Sequence, residues 1–275
     1  MFSIESHIST PSFLIYPLSF GYSYINDILT HKANLSLTDA KSFLFKEQCN
    51  WRIELNIHCY LNYVEFMIEP LDKAILTAIY VASLDSDILP LEYLKNTTTI
   101  SEDMFNLKID EMIENGFVER SNPLRLTFLG RGLLKVVLIG GVFDIVHPGH
   151  IHTLKDAKSQ GDILIVVVAR SSTALKINKN RKIYHDEFLR RELVASIRYV
   201  DYAIIGREGT LYDTVEFVKP DIIALGYDQI HTEKEIAMNC SKRGINTRII
   251  RLNTPIPGSK SAQIKEELGH SIYDI

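Results

Sequence analysis

Cysteine is scarce and unpatterned: Cys49, Cys59 and Cys240 are the only three in 275 residues, with no C-x-x-C spacing. That excludes a disulfide framework and fits a reducing compartment, so a cytoplasmic chain is expected. No stretch approaches 18 uninterrupted apolar residues. The N-terminus lacks a basic n-region and is interrupted by Ser, Tyr and Asn, so neither a membrane span nor a signal peptide is expected. Internal repeats and low-complexity tracts are also absent. So is any basic excess, since 30 Lys and Arg against 34 Asp and Glu give a formal charge of −4. No global field recruits nucleic acid or acidic membranes. What remains is ordinary globular composition, 46% hydrophobic and 23% charged, long enough for two or three domains.

Three segments follow from patterning. Residues 1–69 are the least legible: 37–45 reads as a helix with Ser36 or Thr38 near its start, and 51–61 alternates apolar residues (Trp51, Ile53, Leu55, Ile57, Cys59, Leu61) as a one-sided strand does. No role for this segment emerges from its residues. Residues 70–134 resemble a winged helix, with a helix over 71–83, a short second helix over 91–95 and a third capped by Ser101 and ending at Gly116. Two strands over 117–119 and 124–127 then flank Ser121-Asn122-Pro123. In such domains the third helix enters the major groove, but here it carries Glu102, Asp103, Asp110, Glu111 and Glu114 against Lys108 alone. Phosphates would be repelled, so DNA is not an expected partner, although Arg120, Arg125 and Arg131 could touch a backbone from the wing side.

Residues 135–275 alternate strands (136–139, 163–169, 200–205, 221–225, 248–252) with helices (151–159, 186–198, 211–217, 233–243). The expected fold is α/β, a doubly wound parallel five-stranded sheet preceded by the winged-helix domain and a small α+β N-terminal segment. Ligands in such sheets bind outside the carboxyl ends of the strands, where strand order reverses.

One string at that edge carries the chemistry. Val136 to Ile139 is a buried strand that stops at Gly140-Gly141, and Val142-Phe143-Asp144 leads to His147-Pro148-Gly149-His150 at a helix start. Pro148 suits a first helical turn, and Gly149 has no side chain to obstruct a ligand. Helix N-termini bind anions through free N–H groups and the positive end of the dipole. Two imidazoles three residues apart add donors aimed at the same point, as a polyphosphate requires. His-x-x-His can also chelate zinc, but no Cys pair or third His at ligand spacing accompanies it, and His152 is expected on another side of the helix. No bound metal is expected among these residues.

The G-x-F-D-x-x-H-x-G-H string resembles the signature of the HxGH nucleotidyltransferases, cytidylyltransferase-like proteins that include several adenylyltransferases. The resemblance implies that His147 and His150 contact nucleotide phosphates and stabilise charge at the α-phosphorus, with Val142, Phe143, Pro148 and Gly149 lining the nucleotide. It implies a mobile lysine in the loop after Arg170, best matched by Lys176, although Ser171 and Ile183 depart from the acidic residue and proline common there. Asp228, after Gly226-Tyr227, is implied to bind ribose or base, and Ser259 and Ser261 to bind phosphate; helix capping by Asp228, Ser259 or Ser261 is the plainer reading. Arg190 and Arg191 could reach phosphates or form surface ion pairs.

The string Thr254-Pro255-Ile256-Pro257 lacks the arginine that cytidylyltransferases carry before their Ser/Thr motif. Together with Leu225-Gly226-Tyr227-Asp228-Gln229, this makes residues 136–270 look most like archaeal-type FAD synthases, which adenylylate FMN. The implied partners are ATP (or CTP), Mg²⁺ or another divalent cation, and a small phosphorylated acceptor, FMN first, with a homodimer possible and no membrane. The runner-up is a CTP-dependent glycerol-3-phosphate or ethanolamine-phosphate cytidylyltransferase. From another class comes a nucleotide-sensing winged-helix transcription regulator.

Overall fold

The computed structural model describes residues 68–252, apart from 178, 180, 181, 228 and 230. The helix expected over 37–45 and the strand expected over 51–61 lie outside them. The first described helix, α1 (Pro70–Leu84), starts with proline in its first turn and a reciprocal capping box between Glu69 and Asp72. Its inner face buries Ile75, Leu76, Ile79 and Tyr80. Helix α2 (Pro90–Lys95) follows. Ser101 Oγ accepts from the Met104 amide at 3.2 Å and opens α3 (Glu102–Glu114), whose Phe105, Ile109 and Met112 form one buried stripe. Gly116, at φ 73°, ends it in the left-handed conformation that glycine adopts without strain.

Strands β1 (Val118–Glu119) and β2 (Arg125–Leu126) pair antiparallel. A short α4 (Phe128–Gly132), which the sequence pattern does not anticipate, completes the unit. Thr127 donates its hydroxyl to the Gly116 carbonyl at 2.7 Å and accepts the Gly130 amide at 3.1 Å. A Cβ on Gly130 would stand 2.0 Å from the Phe117 carbonyl oxygen, so only glycine lets this turn close.

The sheet that follows contains β3 (Val136–Gly141), β4 (Ile163–Val168), β5 (Tyr202–Ile205), β6 (Ile222–Leu225) and β7 (Arg248–Arg251). All neighbours are parallel, in the order β5-β4-β3-β6-β7. The chain winds outward from β3 to β5 and then returns to β6 beside β3, so the order reverses between β3 and β6. Helices α5 (Pro148–Lys158) and α7 (Glu187–Ala195) bury Leu154, Ala157 and Val194 against Val137, Val166 and Ile222 on one face. Helices α8 (Leu211–Val218) and α9 (Glu233–Lys242) bury Val215, Val218, Ile236 and Cys240 in the remaining crossovers. Every residue of β4 is buried, as a strand covered on both faces must be. A second element departs from expectation: the stretch after Arg170 is not a loop but begins at once as helix α6 (Ser171–Ile177).

The helical unit docks on the amino ends of these strands. Asp162, Asp201 and Asp221 each stand one residue before a strand. Their carboxylates accept the amides of Lys135 at 2.7 Å, Leu164 at 2.6 Å and Val136 at 2.7 Å, respectively. The same three residues receive the helical unit: Lys73 pairs with Asp162 at 2.7 Å, Tyr93 donates to the Asp201 carbonyl at 3.0 Å, and Arg131 reaches Asp221 at 3.0 Å. Tyr80 donates to the Val218 carbonyl at 2.7 Å, and Tyr202 donates to Asp85. Arg131 therefore serves this joint rather than a nucleic-acid backbone.

Burial raises the ionisation of Tyr80, Tyr93 and Tyr202 well above the ordinary tyrosine range, and the Asp85 carboxylate adds to the effect at Tyr202. The protonated phenol is therefore the form that holds the joint. Its stabilisation is complete below the unfolded value of about 10 and declines as pH climbs above it. Urea midpoints measured at pH 8 and pH 11 should fall at the higher pH, less steeply in a Tyr80→Phe variant. At neutral pH Tyr80→Phe leaves the buried Val218 carbonyl without its donor and should cost on the order of 1–3 kcal/mol of unfolding free energy.

Candidate active site

At the carboxyl end of β3 the chain turns sharply through Phe143, whose φ of 52° is unusual for a residue with a side chain. The turn folds the Phe143 ring back over Gly141, where an added Cβ would meet ring carbons at 2.7 and 2.8 Å. Phe143 is 5% exposed and lies 5.3 Å, centroid to centroid, from the His150 ring. His150 in turn lies 4.0 Å from the His147 ring. A stack of three rings thus runs from the sheet to the head of α5, and Gly141 is the residue that makes room for it.

His147 is the N-cap of α5. Its Nδ1 accepts from the Gly149 amide at 3.2 Å, which assigns the proton of the neutral ring to Nε2. Its carbonyl accepts the His150 amide at 2.9 Å. With proline in the first turn, the head of this helix therefore spends its amides internally. The expectation of free N–H groups is corrected: what the helix leaves at this point is the positive end of its dipole.

Asp144 belongs to the same turn and is 6% exposed. Its Oδ1 accepts the Tyr184 and His185 amides at 3.0 and 3.1 Å, joining the turn to the segment before α7. Gln229, from the β6 loop, donates its side-chain amide to the Gly140 carbonyl at 2.6 Å across the switch point. Arg251 gathers that loop by donating to the carbonyls of Gly226, Gln229 and His231, and pairs with Glu233 at 2.7 Å. Sequence reading assigns Asp144 and Gln229 no separate role, because each is legible only as a letter within a motif.

The structure brings Val142, Phe143, His147, Pro148, Gly149 and His150 together at one strand end. Lys176 is exposed in the last turn of α6, which begins at the same sheet edge. Asp228, Ser259 and Ser261 lie outside the described residues. Arg190 departs from both readings offered for it: it is 1% exposed, so it is neither a surface ion pair nor an open phosphate ligand. Beside the histidines an open cleft of about 570 Å³ is lined by Val146, His147, Pro148, Ile151, His152 and Lys155. His152 lines this cleft with His147, whereas His150 faces Phe143 and is not among the lining residues.

Residues 138–267 match the cytidylyltransferase-like family model. The FAD synthase of Aciduliprofundum boonei is 49% identical over 116 residues, 42% of this chain and 76% of that protein. The FAD synthase of Picrophilus torridus is 47% identical over 117 residues, covering 42% of this chain and 83% of its own. That of Thermoplasma volcanium is 50% identical over 118 residues, with 42% and 81% covered. The chain belongs to the FAD synthase group of cytidylyltransferase-like nucleotidyltransferases.

Two imidazoles in contact, backed by a phenyl ring, thus stand at the positive end of α5. Gly141→Ala should test that arrangement. The new methyl cannot coexist with the Phe143 ring, so the ring stack and His150 must shift. The expected result is a loss of pyrophosphate-releasing activity of about 10²-fold, the cost of roughly an ångström of misplacement. Circular dichroism should remain that of the folded protein.

Proposed function

We propose that the chain is an ATP:FMN adenylyltransferase. The observation that carries this reading is the ring-stacked His147–His150 pair at the head of α5, in a domain about half identical to FAD synthases. In the reaction an FMN phosphate oxygen attacks the α-phosphorus of ATP. The bond from that phosphorus to the bridging oxygen breaks, and pyrophosphate leaves with the electron pair. The attacking phosphate is already ionised at neutral pH, so no general base is needed, and catalysis rests on positioning and on donors around the reacting phosphorus.

His147 and His150 would meet the charge that develops there. Lys176 would neutralise phosphate oxygens, and Asp228, Ser259 and Ser261 retain the ribose and phosphate roles that their motif implies. Among the described residues no group of three His, Cys, Asp or Glu is arranged to hold a metal. Mg²⁺ or another divalent cation would accompany ATP and supply charge neutralisation at the phosphates. The cleft beside His147 offers the acceptor an apolar wall of Val146, Pro148 and Ile151 within reach of the same histidine. No helix of the described residues is long and apolar enough to cross a membrane.

The helical unit reads best as a packing module. It occupies the amino edge of the sheet, opposite the histidines, and Lys108 of α3 is engaged by Asp72 at 3.0 Å and Glu111 at 3.2 Å. The acids exposed on that helix stand against a role as a DNA-reading regulator.

The deciding measurement is kcat/KM for ATP with FMN against CTP with glycerol phosphate or phosphoethanolamine, because discrimination resides in that ratio. ATP with FMN should be preferred. Faster transfer from CTP would replace this reading with the cytidylyltransferase one. His147→Ala and His150→Ala should each lower turnover by about 10²–10³-fold, equivalent to losing one donor worth roughly 2.7–4 kcal/mol in the transition state. Near wild-type turnover in either variant would contradict the role given to the pair.

A further inference from the structure

Arg190 is enclosed, and its donors are divided among three stretches of chain. Nε donates to the His185 carbonyl at 2.9 Å. One terminal nitrogen donates to the carbonyls of Val142 at 2.6 Å and Ala169 at 2.8 Å. The other donates to Ser171 Oγ at 3.1 Å. Ser171 donates a hydrogen bond from its own hydroxyl to Glu187 Oε2 at 2.6 Å, and that carboxylate lies 3.8 Å from the guanidinium. Val142 leads into the histidine turn, Ala169 and Ser171 form the junction from β4 to α6, and His185 precedes α7. Asp144 ties the first and last of these stretches a second time.

We propose, building on the adenylyltransferase reading, that Arg190 with Ser171 and Glu187 is a positioning device. It fixes the His147–His150 turn relative to α6, which bears Lys176, and so sets the spacing of the groups that converge on the α-phosphorus. A planar guanidinium suits this task because its fork reaches several fixed acceptors at once, whereas the three donors of a lysine radiate from one atom. Two strand-end carbonyls held by one rigid cation cannot drift apart independently. Glu187 keeps the Ser171 hydroxyl turned so that its lone pairs face Arg190. That hydrogen bond, the adjoining amides and the Arg190 charge hold the Glu187 carboxyl below its usual range.

Three variants test the device in the full-length chain: Arg190→Lys, Glu187→Gln, and the double change Ser171→Asp with Glu187→Gln. In the double variant a carboxylate at position 171 can meet the guanidinium directly, without repulsion from position 187. Per folded molecule, Arg190→Lys should lower kcat for ATP and FMN about 10²-fold with little change in the KM for ATP. Glu187→Gln should lower kcat less, and the double variant should recover it. A loss of thermal midpoint alone, with kcat per folded molecule unchanged in both single variants, would overturn the proposal, as would failure of the double variant to recover. Glu187→Gln is near-isosteric and keeps the test usable if Arg190→Lys does not fold.

Amide hydrogen exchange gives a readout independent of the substrate assignment. Residues 142–150 and 184–185 should exchange faster in Glu187→Gln than in the wild type, while Ile222–Leu225 should not. Unchanged exchange at 142–150 would refute the device itself. Wild-type inactivity toward ATP and FMN, with the exchange difference present, would refute only the substrate assignment.

Discussion

A parallel sheet leaves unmatched N–H groups along one edge and unmatched carbonyls along the other, and this chain answers the two edges with side chains of opposite character. At the amino edge Asp162, Asp201 and Asp221 accept the amides that open neighbouring strands. At the carboxyl edge three arginines and a glutamine donate: Arg190 to Val142 and Ala169, Arg251 to Gly226, Arg170 to Gly206 at 2.8 Å, and Gln229 to Gly140. Buried backbone groups must be paired, so these residues are conditions of the fold and not decoration upon it. The two ends of the sheet acquire different chemistry as a consequence. The acidic end receives the helical unit through Lys73, Arg131 and the tyrosines, and the other end is left to the ligand.

Rigidity at the ligand end follows from the same pairing. The loops that leave β3, β4 and β6 would ordinarily be the mobile parts of such a fold. Here the β3 turn is held by Asp144 and Arg190, the β6 loop by Arg251 and Gln229, and the two meet at the Gly140 carbonyl. The histidine pair therefore sits on a scaffold whose carbonyls are already satisfied. In the role proposed for the pair, donors preorganised in this way would meet developing charge without rearranging at the moment of reaction.

What the sequence made legible follows a physical divide. Strand signals in the apolar patterning located every strand of the large sheet. Ser101, Gly116 and Pro148 marked helix ends, because these signals are local and act through the backbone. Helix α6 was missed because Ser171-Ser172-Thr173 reads as loop composition, while the contact that anchors it, Arg190 to Ser171, spans 19 positions of chain. In sequence Arg190 reads as a phosphate ligand or a surface ion pair, because burial of a guanidinium is decided by carbonyls that arrive from elsewhere in the fold. The amides at the head of α5 were read as free because nothing in the His-Pro-Gly-His spelling shows that Nδ1 of His147 turns back onto Gly149.

The division of labour between the edges also bears on how a polyphosphate would be drawn to the right place on a chain of net charge −4. Hydrogen bonds are local, but charge acts over a Debye length of about 8–10 Å at ordinary ionic strength, and further where water is excluded. Arg251 is balanced by Glu233 in direct contact, and the lysines and Arg131 at the amino edge are balanced by their aspartates. Arg190 is also paired, with Glu187 at 3.8 Å, but it is buried and most of its donors go to backbone carbonyls beside the histidine turn. At the opposite end of the sheet the exposed acids of α3 repel phosphate.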